Sequence, residues 1–274
     1  MLTAPRAEGR EDPGFDTADP VALRRAIRTG AYTGYTNGLA AGYVQASPVI
    51  IPKEYAGDFT LFCQRNPKPM PLLAVSDVGS PHIPEVAKDL DVRTDVGAYQ
   101  IYRDGEIVEV IDDISHLWRD DFVTFVIGCS FSFEFALMEA GIPLRHIEEG
   151  NVSPMYRTAI ETVPCGPFSS ELAVSMRFFQ PADAIRAIQV SGRYPAFHGA
   201  PVHIGDPAMI GIDQSQSYGG HGLKVAKPGE IPVFWACGAV AQFAMERARL
   251  PIAITHSKAH MLVTDLKIRD FAIP

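Results

Sequence analysis

Two segments of this chain repeat one another, and the repeat limits the folds open to it. DFVTFVIGCSFSFEFALMEAGIP (121–143) aligns without gaps on GEIPVFWACGAVAQFAMERARLP (229–251). Cys129 falls on Cys237, Phe135 on Phe243, Ala136 on Ala244, Ala140 on Ala248 and Pro143 on Pro251, while Glu134 meets Gln242 and Leu137 meets Met245. Each copy reads as a buried strand, a tight turn built on Cys and Gly, an amphipathic helix and a Pro-led second strand. The order strand–helix–strand predicts parallel pairing. The expected fold class is α/β: a mixed or parallel sheet with flanking helices built from two related βαβ units, plus a smaller inserted two-layer α/β subdomain.

The inserted subdomain is assigned to residues 150–205, where the texture changes to NVSPMYRTAI, ELAVSMRFF, a short helix PADAIRAIQV and the Gly/Pro/His-rich YPAFHGAPVHIGDP. Residues 1–18 read as a flexible arm, and 19–149 with 206–274 as the main α/β domain. Asp19 is placed to cap a helix that has Pro20 in its first turn and ends at Gly30. A second helix is expected from Pro52, with Tyr55, Phe59, Phe62 and Cys63 at helical spacing, so Cys63 reads as a packed core thiol. LLAVS reads as a strand. YQIYRDGEIVEVI (99–111) reads as a hairpin around Asp104-Gly105, a dipeptide that tolerates the positive φ of a type I′ turn.

Composition narrows the function classes. The 274 residues are 47% hydrophobic, enough for a sizeable core, and 24 Lys plus Arg against 32 Asp plus Glu leave a net charge of −8. That balance argues against a nucleic-acid partner, which calls for a basic face. No stretch approaches the roughly 18 apolar residues of a membrane span, and the polar start lacks the basic and apolar regions of a signal peptide. Cys63, Cys129, Cys165 and Cys237 lie far apart with no CxxC pair, so neither a disulfide scaffold nor a thiolate zinc site is suggested. A cytoplasmic protein with no membrane partner is expected. No GxGxxG or Walker loop appears, so no nucleotide cofactor is expected. A small carboxylate or amino-acid substrate is the expected partner, and a homo-oligomer is left open.

The candidate chemistry collects in three groups. GCSFSFE (128–134) puts Cys129, Ser130 and Ser132 at a helix start, where unpaired N–H groups and the helix dipole bind carboxylates and lower a thiol's pKa. Cys237 repeats the arrangement beside Gly238, which permits close backbone approach to a ligand. The second group is His198, His203 and Asp206 in HGAPVHIGDP, with His256 and His260 in THSKAH. Hydrogen-bonding or acid–base roles are favoured for these histidines over a metal site, because HxxxH presents two ligands together only on a helix. The third group is the arginines with polar neighbours: Arg145, Arg157 beside Thr158, and Arg177 two residues after Ser175. Each has a planar fork suited to a carboxylate, and pairing with an internal Asp or Glu is the ordinary alternative.

The segments GYVQASPVIIPKEYAGDFTLFCQRNPKPMPLL, RTDVGAY, WRDDFVTFVIGCSFSFE, MYRT, VSMR, HGAPVHIGDP, EIPVFWACG and THSKAHMLVTD together resemble the D-glutamate cyclase family, a group of mostly bacterial proteins labelled as hydro-lyases. The resemblance runs from about residue 34 to 265. It implies an α/β fold with two subdomains and a lyase activity without a cofactor. The family member with a defined reaction, in animal mitochondria, is similar over only part of its length and converts D-glutamate to 5-oxo-D-proline with loss of water. On that basis Cys129, His203, His256 and Cys237 are the expected catalytic residues. Ser130, Ser132, Arg157, Thr158, Arg177, His198, Asp206 and Gly238 are expected to bind substrate, with no metal assigned. Two alternatives follow from the residues themselves: a racemase or epimerase with Cys129 and Cys237 on either side of an α-carbon, and a non-catalytic carboxylate-binding protein.

Overall fold

The computed structural model describes residues 14–217 and 225–274; most of the sequence-predicted arm, residues 1–13, lies outside them. The chain runs α1 (Pro20–Arg28), β1 (Tyr43–Pro52), α2 (Ala56–Arg65), β2 (Leu72–Val75), β3 (Tyr99–Arg103), β4 (Glu106–Ile111), β5 (Phe122–Gly128), α3 (Ser130–Glu139) and α4 (Arg145–Glu148). It continues through β6 (Met155–Glu161), β7 (Glu171–Phe179), α5 (Pro181–Gly192), β8 (His203–Ile204), β9 (Ile231–Ala236), α6 (Ala239–Ala248), β10 (Ala253–His256) and β11 (Leu262–Lys267). Local chemistry accounts for several boundaries. The Asp19 carboxylate accepts the Val21 N–H at the start of α1, with Pro20 in the first turn. Asp104 and Gly105 both take positive φ between β3 and β4, as a type I′ turn requires.

The strands form a seven-stranded sheet in the order β2-β5-β1-β10-β3-β4, with β11 also on β1, and a four-stranded sheet in the order β6-β7-β9-β8. The α/β class with helices flanking sheets holds, but every strand pairing among the described residues is antiparallel. This corrects the parallel expectation, and the reason lies in where each repeat leads. The first copy leaves the large sheet at β5, passes through α3, and reaches the small sheet at β6. The second leaves the small sheet at β9, passes through α6, and reaches the large sheet at β10. Neither helix returns its chain to the sheet it left, so neither copy is a βαβ crossover within one sheet. After Pro143 the chain forms the short helix α4 instead of a strand; after Pro251 the expected strand is present as β10.

The largest core lies between the two sheets. Val49 and Ile51 of β1 and Phe125 and Ile127 of β5 pack with Val174 and Met176 of β7, Phe234 and Ala236 of β9, and the apolar face of α6. Cys63 is in this core beside Phe59 and Phe62, and burial pushes its thiol up to about 12. A second core covers the other face of the large sheet with residues from the 83–96 segment. A third joins α3 and α5 to the small sheet around Trp235.

One irregularity of the large sheet positions the site. On one side β1 pairs without interruption with β5, Ala46 through Pro52 against Gly128 through Phe122. On the other side it is shared: Gln45 and Ala46 pair with Val263 and Leu262 of β11, and Val49 and Ile50 pair with Thr255 and Ile254 of β10. Ser47 and Pro48 fall in the gap between β10 and β11. Pro48 has no N–H to offer a ladder there, so the sequence tolerates the opening. Tight packing holds the adjoining end of β5: a Cβ at Gly128 would stand 1.9 Å from the Ala196 carbonyl oxygen. Gly128→Ala is therefore expected to lower the unfolding free energy by about 1–3 kcal/mol, read from urea denaturation; an unchanged midpoint would contradict this packing.

Candidate active site

The two repeat helices start on opposite sides of one cleft of about 530 Å³, whose walls include Ser47, Cys129, Ser130, Ser175, Cys237 and His256. Gly238, Gln242, Lys258 and Ser153 also line it. The large sheet supplies Ser47 from the gap in β1, His256 from the end of β10, and Lys258 from the connection to β11. The small sheet supplies Ser175 from β7 and leads through β9 to Cys237. The repeat thus delivers its two cysteines to the same cavity, Cys129 directly before α3 and Cys237 one residue before the Gly238 cap of α6.

The floor is a buried charge cluster. Arg177 donates through Nε to Glu134 Oε1 at 2.8 Å and makes a second, shorter contact to the same oxygen through Nη2. His146 Nε2 lies 2.9 Å from that oxygen. Burial alone would raise the Glu134 carboxyl, but the Arg177 charge, His146 and their hydrogen bonds overcome it and hold the group at about 2. The remaining face of the guanidinium points toward the cleft, donating to Ser175 Oγ at 2.9 Å and Ser130 Oγ at 3.2 Å. Both serine oxygens act as acceptors in these bonds, so their hydroxyl hydrogens are free to donate into the cavity. Two polarised O–H donors beside the start of α3 make an anion-holding corner.

Across the cavity His256 is fixed by its neighbours. Its Nδ1 lies 2.8 Å from the Ser257 carbonyl, which can only accept, so Nδ1 carries the hydrogen. Nε2 therefore presents its lone pair to Ser47 Oγ at 3.1 Å. Burial pushes the ring down to about 4, with the Ser257 hydrogen bond opposing, and it is neutral at physiological pH. Gln242 donates to the His256 carbonyl at 2.9 Å. The repeat shows again here: Glu134 and Gln242, equivalent positions of α3 and α6, hold Arg177 and His256 respectively. Lys258, half-buried at the same wall, is lowered by burial.

Burial works against ionisation of the two thiols. Burial pushes Cys129 up to about 12, although the Phe131 N–H partly relieves it, and Cys237 rises for the same reason against the Ala239 N–H. Desolvation outweighs the helix starts that predicted acidic thiols. Cys237 Sγ also rests 3.4 Å from the Met155 thioether.

Of the sequence-predicted site residues, Cys129, Cys237, Ser130, Gly238 and His256 line the cleft, and Arg177 lies directly beneath it. The others are not brought there. Ser132 joins α3 to β1 by donating to the Gln45 carbonyl and accepting its N–H. Arg157 lies over the Phe243 ring and pairs with Glu171 and Glu246, while Thr158 bonds the Leu172 carbonyl and the Ile160 N–H. His203 Nε2 meets the Asp206 carbonyl at the β8 edge of the small sheet, and the Asp206 carboxylate caps the following turn through Ala208 N–H. His198 is buried in a left-handed backbone conformation with Nδ1 on the Lys68 carbonyl. Among the described residues no three His, Cys, Asp or Glu side chains form a metal-binding group. Ser47, Ser175, Gln242 and Lys258 are cleft residues that the sequence reading did not select; only Ser175 carried a signal, its spacing of two from Arg177 on one strand face.

His198, His256 and Glu134, buried groups shifted downward from their ordinary values, predict the acid limb of stability. Unfolded His198 and His256 take up protons near 6.5, whereas burial holds the folded rings at about 4, so stability falls as pH drops through that window. It falls again between 4.5 and about 2 as Glu134 is forced to accept a proton. His256→Gln should shrink the first decline and leave the second unchanged when urea midpoints are followed against pH; an identical profile would contradict the neutral buried ring.

Comparison with known proteins converges on one family. A sequence profile described as D-glutamate cyclase matches residues 123–265. A protein of Afipia carboxidovorans is 53% identical over 99% of this chain and all of its own length. One from Verminephrobacter eiseniae is 54% identical over 94% of both chains. One from Bordetella pertussis is 57% identical over 89% of this chain and 88% of its own. All three bear the name "Putative hydro-lyase". With the match spanning both repeat helices, the cleft between them and most of the chain, this protein belongs to the D-glutamate cyclase family.

Proposed function

We propose that the protein is a lyase that closes D-glutamate to 5-oxo-D-proline with loss of water. The observation that carries the reading is a neutral imidazole in one cleft with two places for carboxylates: the Ser130–Ser175 corner over Arg177, and Lys258. Glutamate at neutral pH brings two carboxylates and one ammonium. Holding both carboxylates brings the amine toward the γ-carbon and converts ring closure into a favourably oriented intramolecular step. The closure needs two protons moved from the ammonium nitrogen to one γ-carboxylate oxygen, which then departs as water. His256, neutral and with Nε2 on the cleft-lining Ser47 hydroxyl, suits that transfer, and the net reaction needs no nucleoside triphosphate. Family membership and the hydro-lyase names of the relatives support the same class of reaction.

The thiols fit this reading better than they fit a racemase. Proton exchange at an α-carbon needs one thiolate and one thiol, and burial raises both Cys129 and Cys237 away from the thiolate. In the cyclase reading they are neutral walls that exclude water between the two helix starts.

Proton NMR of the purified protein with D-glutamate in D2O, and with L-glutamate in parallel, tests the proposal. Appearance of 5-oxoproline from the D isomer without deuterium at Cα is expected. Deuteration without ring closure would overturn the proposal in favour of the racemase, and binding without turnover would overturn it in favour of a carboxylate-binding protein. His256→Gln should lower kcat about 10²–10⁴-fold, while Lys258→Met should raise KM about 10–100-fold, the loss of one charged hydrogen bond.

A further inference from the structure

We propose that Ser47 is a nucleophile and that the γ-carboxyl group passes through an ester on its Oγ, which gives the protein a serine-dependent acyl-transfer activity in addition to ring closure; the cyclisation route rests on the function proposed above. Four observations place a nucleophile here. Ser47 Oγ donates to the free lone pair of His256 Nε2 at 3.1 Å, and the Ser257 carbonyl orients the ring from its other side at 2.8 Å. That is the arrangement of an activated hydroxyl: nucleophile, base, and a third group that fixes the base. The hydroxyl lines the cleft at the gap in β1, where neither β10 nor β11 pairs with the Ser47 backbone. The start of α6 abuts it, since a Cβ at Gly238 would stand 2.9 Å from Ser47 Oγ, so the helix dipole faces the point where negative charge develops on an attacked carbonyl.

The steps balance without a further reactant. The ammonium proton first passes to the γ-carboxylate, leaving a neutral amine and a carboxylic acid. Ser47 Oγ attacks the γ-carbon as His256 takes the hydroxyl proton, then returns it to the departing oxygen, which leaves as water. The amine attacks the ester carbonyl, the C–Oγ bond breaks, and His256 carries the amine proton to Ser47. No bond is oxidised or reduced. The same serine is expected to accept an acyl group from a simple activated ester and to release it to water.

The test uses the full chain and p-nitrophenyl acetate, with nitrophenol release and peptide mass spectrometry read together. Expected are a burst of about one nitrophenol per protein and an acetyl group on the peptide containing Ser47. Ser47→Ala should abolish both and lower cyclisation by at least about 1,000-fold, and His256→Gln should lower the burst rate at least about 100-fold. Thermal unfolding of the variants separates loss of the hydroxyl from loss of the fold, and the wild-type adduct is decisive alone. Acetylation confined to Lys258 or to a cysteine would overturn the proposal. Cyclisation of D-glutamate with an unmodified Ser47 would overturn the covalent route while leaving the cyclase reading standing. An acetylated Ser47 in a protein that does not cyclise D-glutamate would uphold the nucleophile and remove the substrate assignment.

Discussion

Arg177 and Glu134 are buried together, one on the central strand of the small sheet and the other on the helix that leaves the large sheet. Neither charge is tolerable alone in that interior, because desolvation of an unpaired ion costs several kcal/mol. Their pairing therefore ties the first repeat helix to the second sheet. His146 from α4 meets the same carboxylate oxygen, so three elements converge on one atom. The guanidinium donates to the cleft-lining Ser130 and Ser175, and the same group that joins the two layers polarises the donors expected to meet a substrate carboxylate.

The duplication explains why such a cleft exists. Two strand–turn–helix units run in opposite directions between two sheets, so their helix starts arrive at one place from opposite sides. Equivalent positions have then diverged. Glu134 holds an arginine and Gln242 holds the histidine carbonyl; Cys129 sits at the cap of α3, and Cys237 precedes a glycine whose missing side chain leaves room for Ser47. One architecture thus brings the Arg177-bonded serines and the Ser47–His256 hydrogen bond to the same cleft.

Much of this was legible in the sequence because it depends on local chemistry. The α1 cap at Asp19, the hairpin at Asp104-Gly105 and the strand–helix junctions at both cysteines follow from neighbouring residues and were expected. Each of the three arginines has an internal carboxylate partner: Arg145 pairs with Glu230, Arg157, which was expected to bind substrate, with Glu171 and Glu246, and Arg177 with Glu134, while Arg177 also donates to Ser175 and Ser130 beside the cleft. The sheet to which each chain returns was not legible, since periodicity identifies a strand without naming its partner. Ser47 was invisible for the same reason. It lies in an apolar run with no motif around it, and its importance comes from the register that separates β10 from β11 along β1. At Cys129 and Cys237 the helix starts pointed to lowered thiol pKa values, whereas burial, which a sequence does not display, pushes both upward.

The central claim is that a dicarboxylic amino acid spans the cleft between the starts of α3 and α6. A crystal structure of the His256→Gln variant with D-glutamate tests it most directly, since slowed chemistry leaves the substrate intact. Expected are one carboxylate within hydrogen-bond distance of the Ser130 and Ser175 hydroxyls, the other at Lys258, and the amine toward residue 256. D-glutamate bound elsewhere, or a cleft that stays empty at saturating ligand, would contradict it.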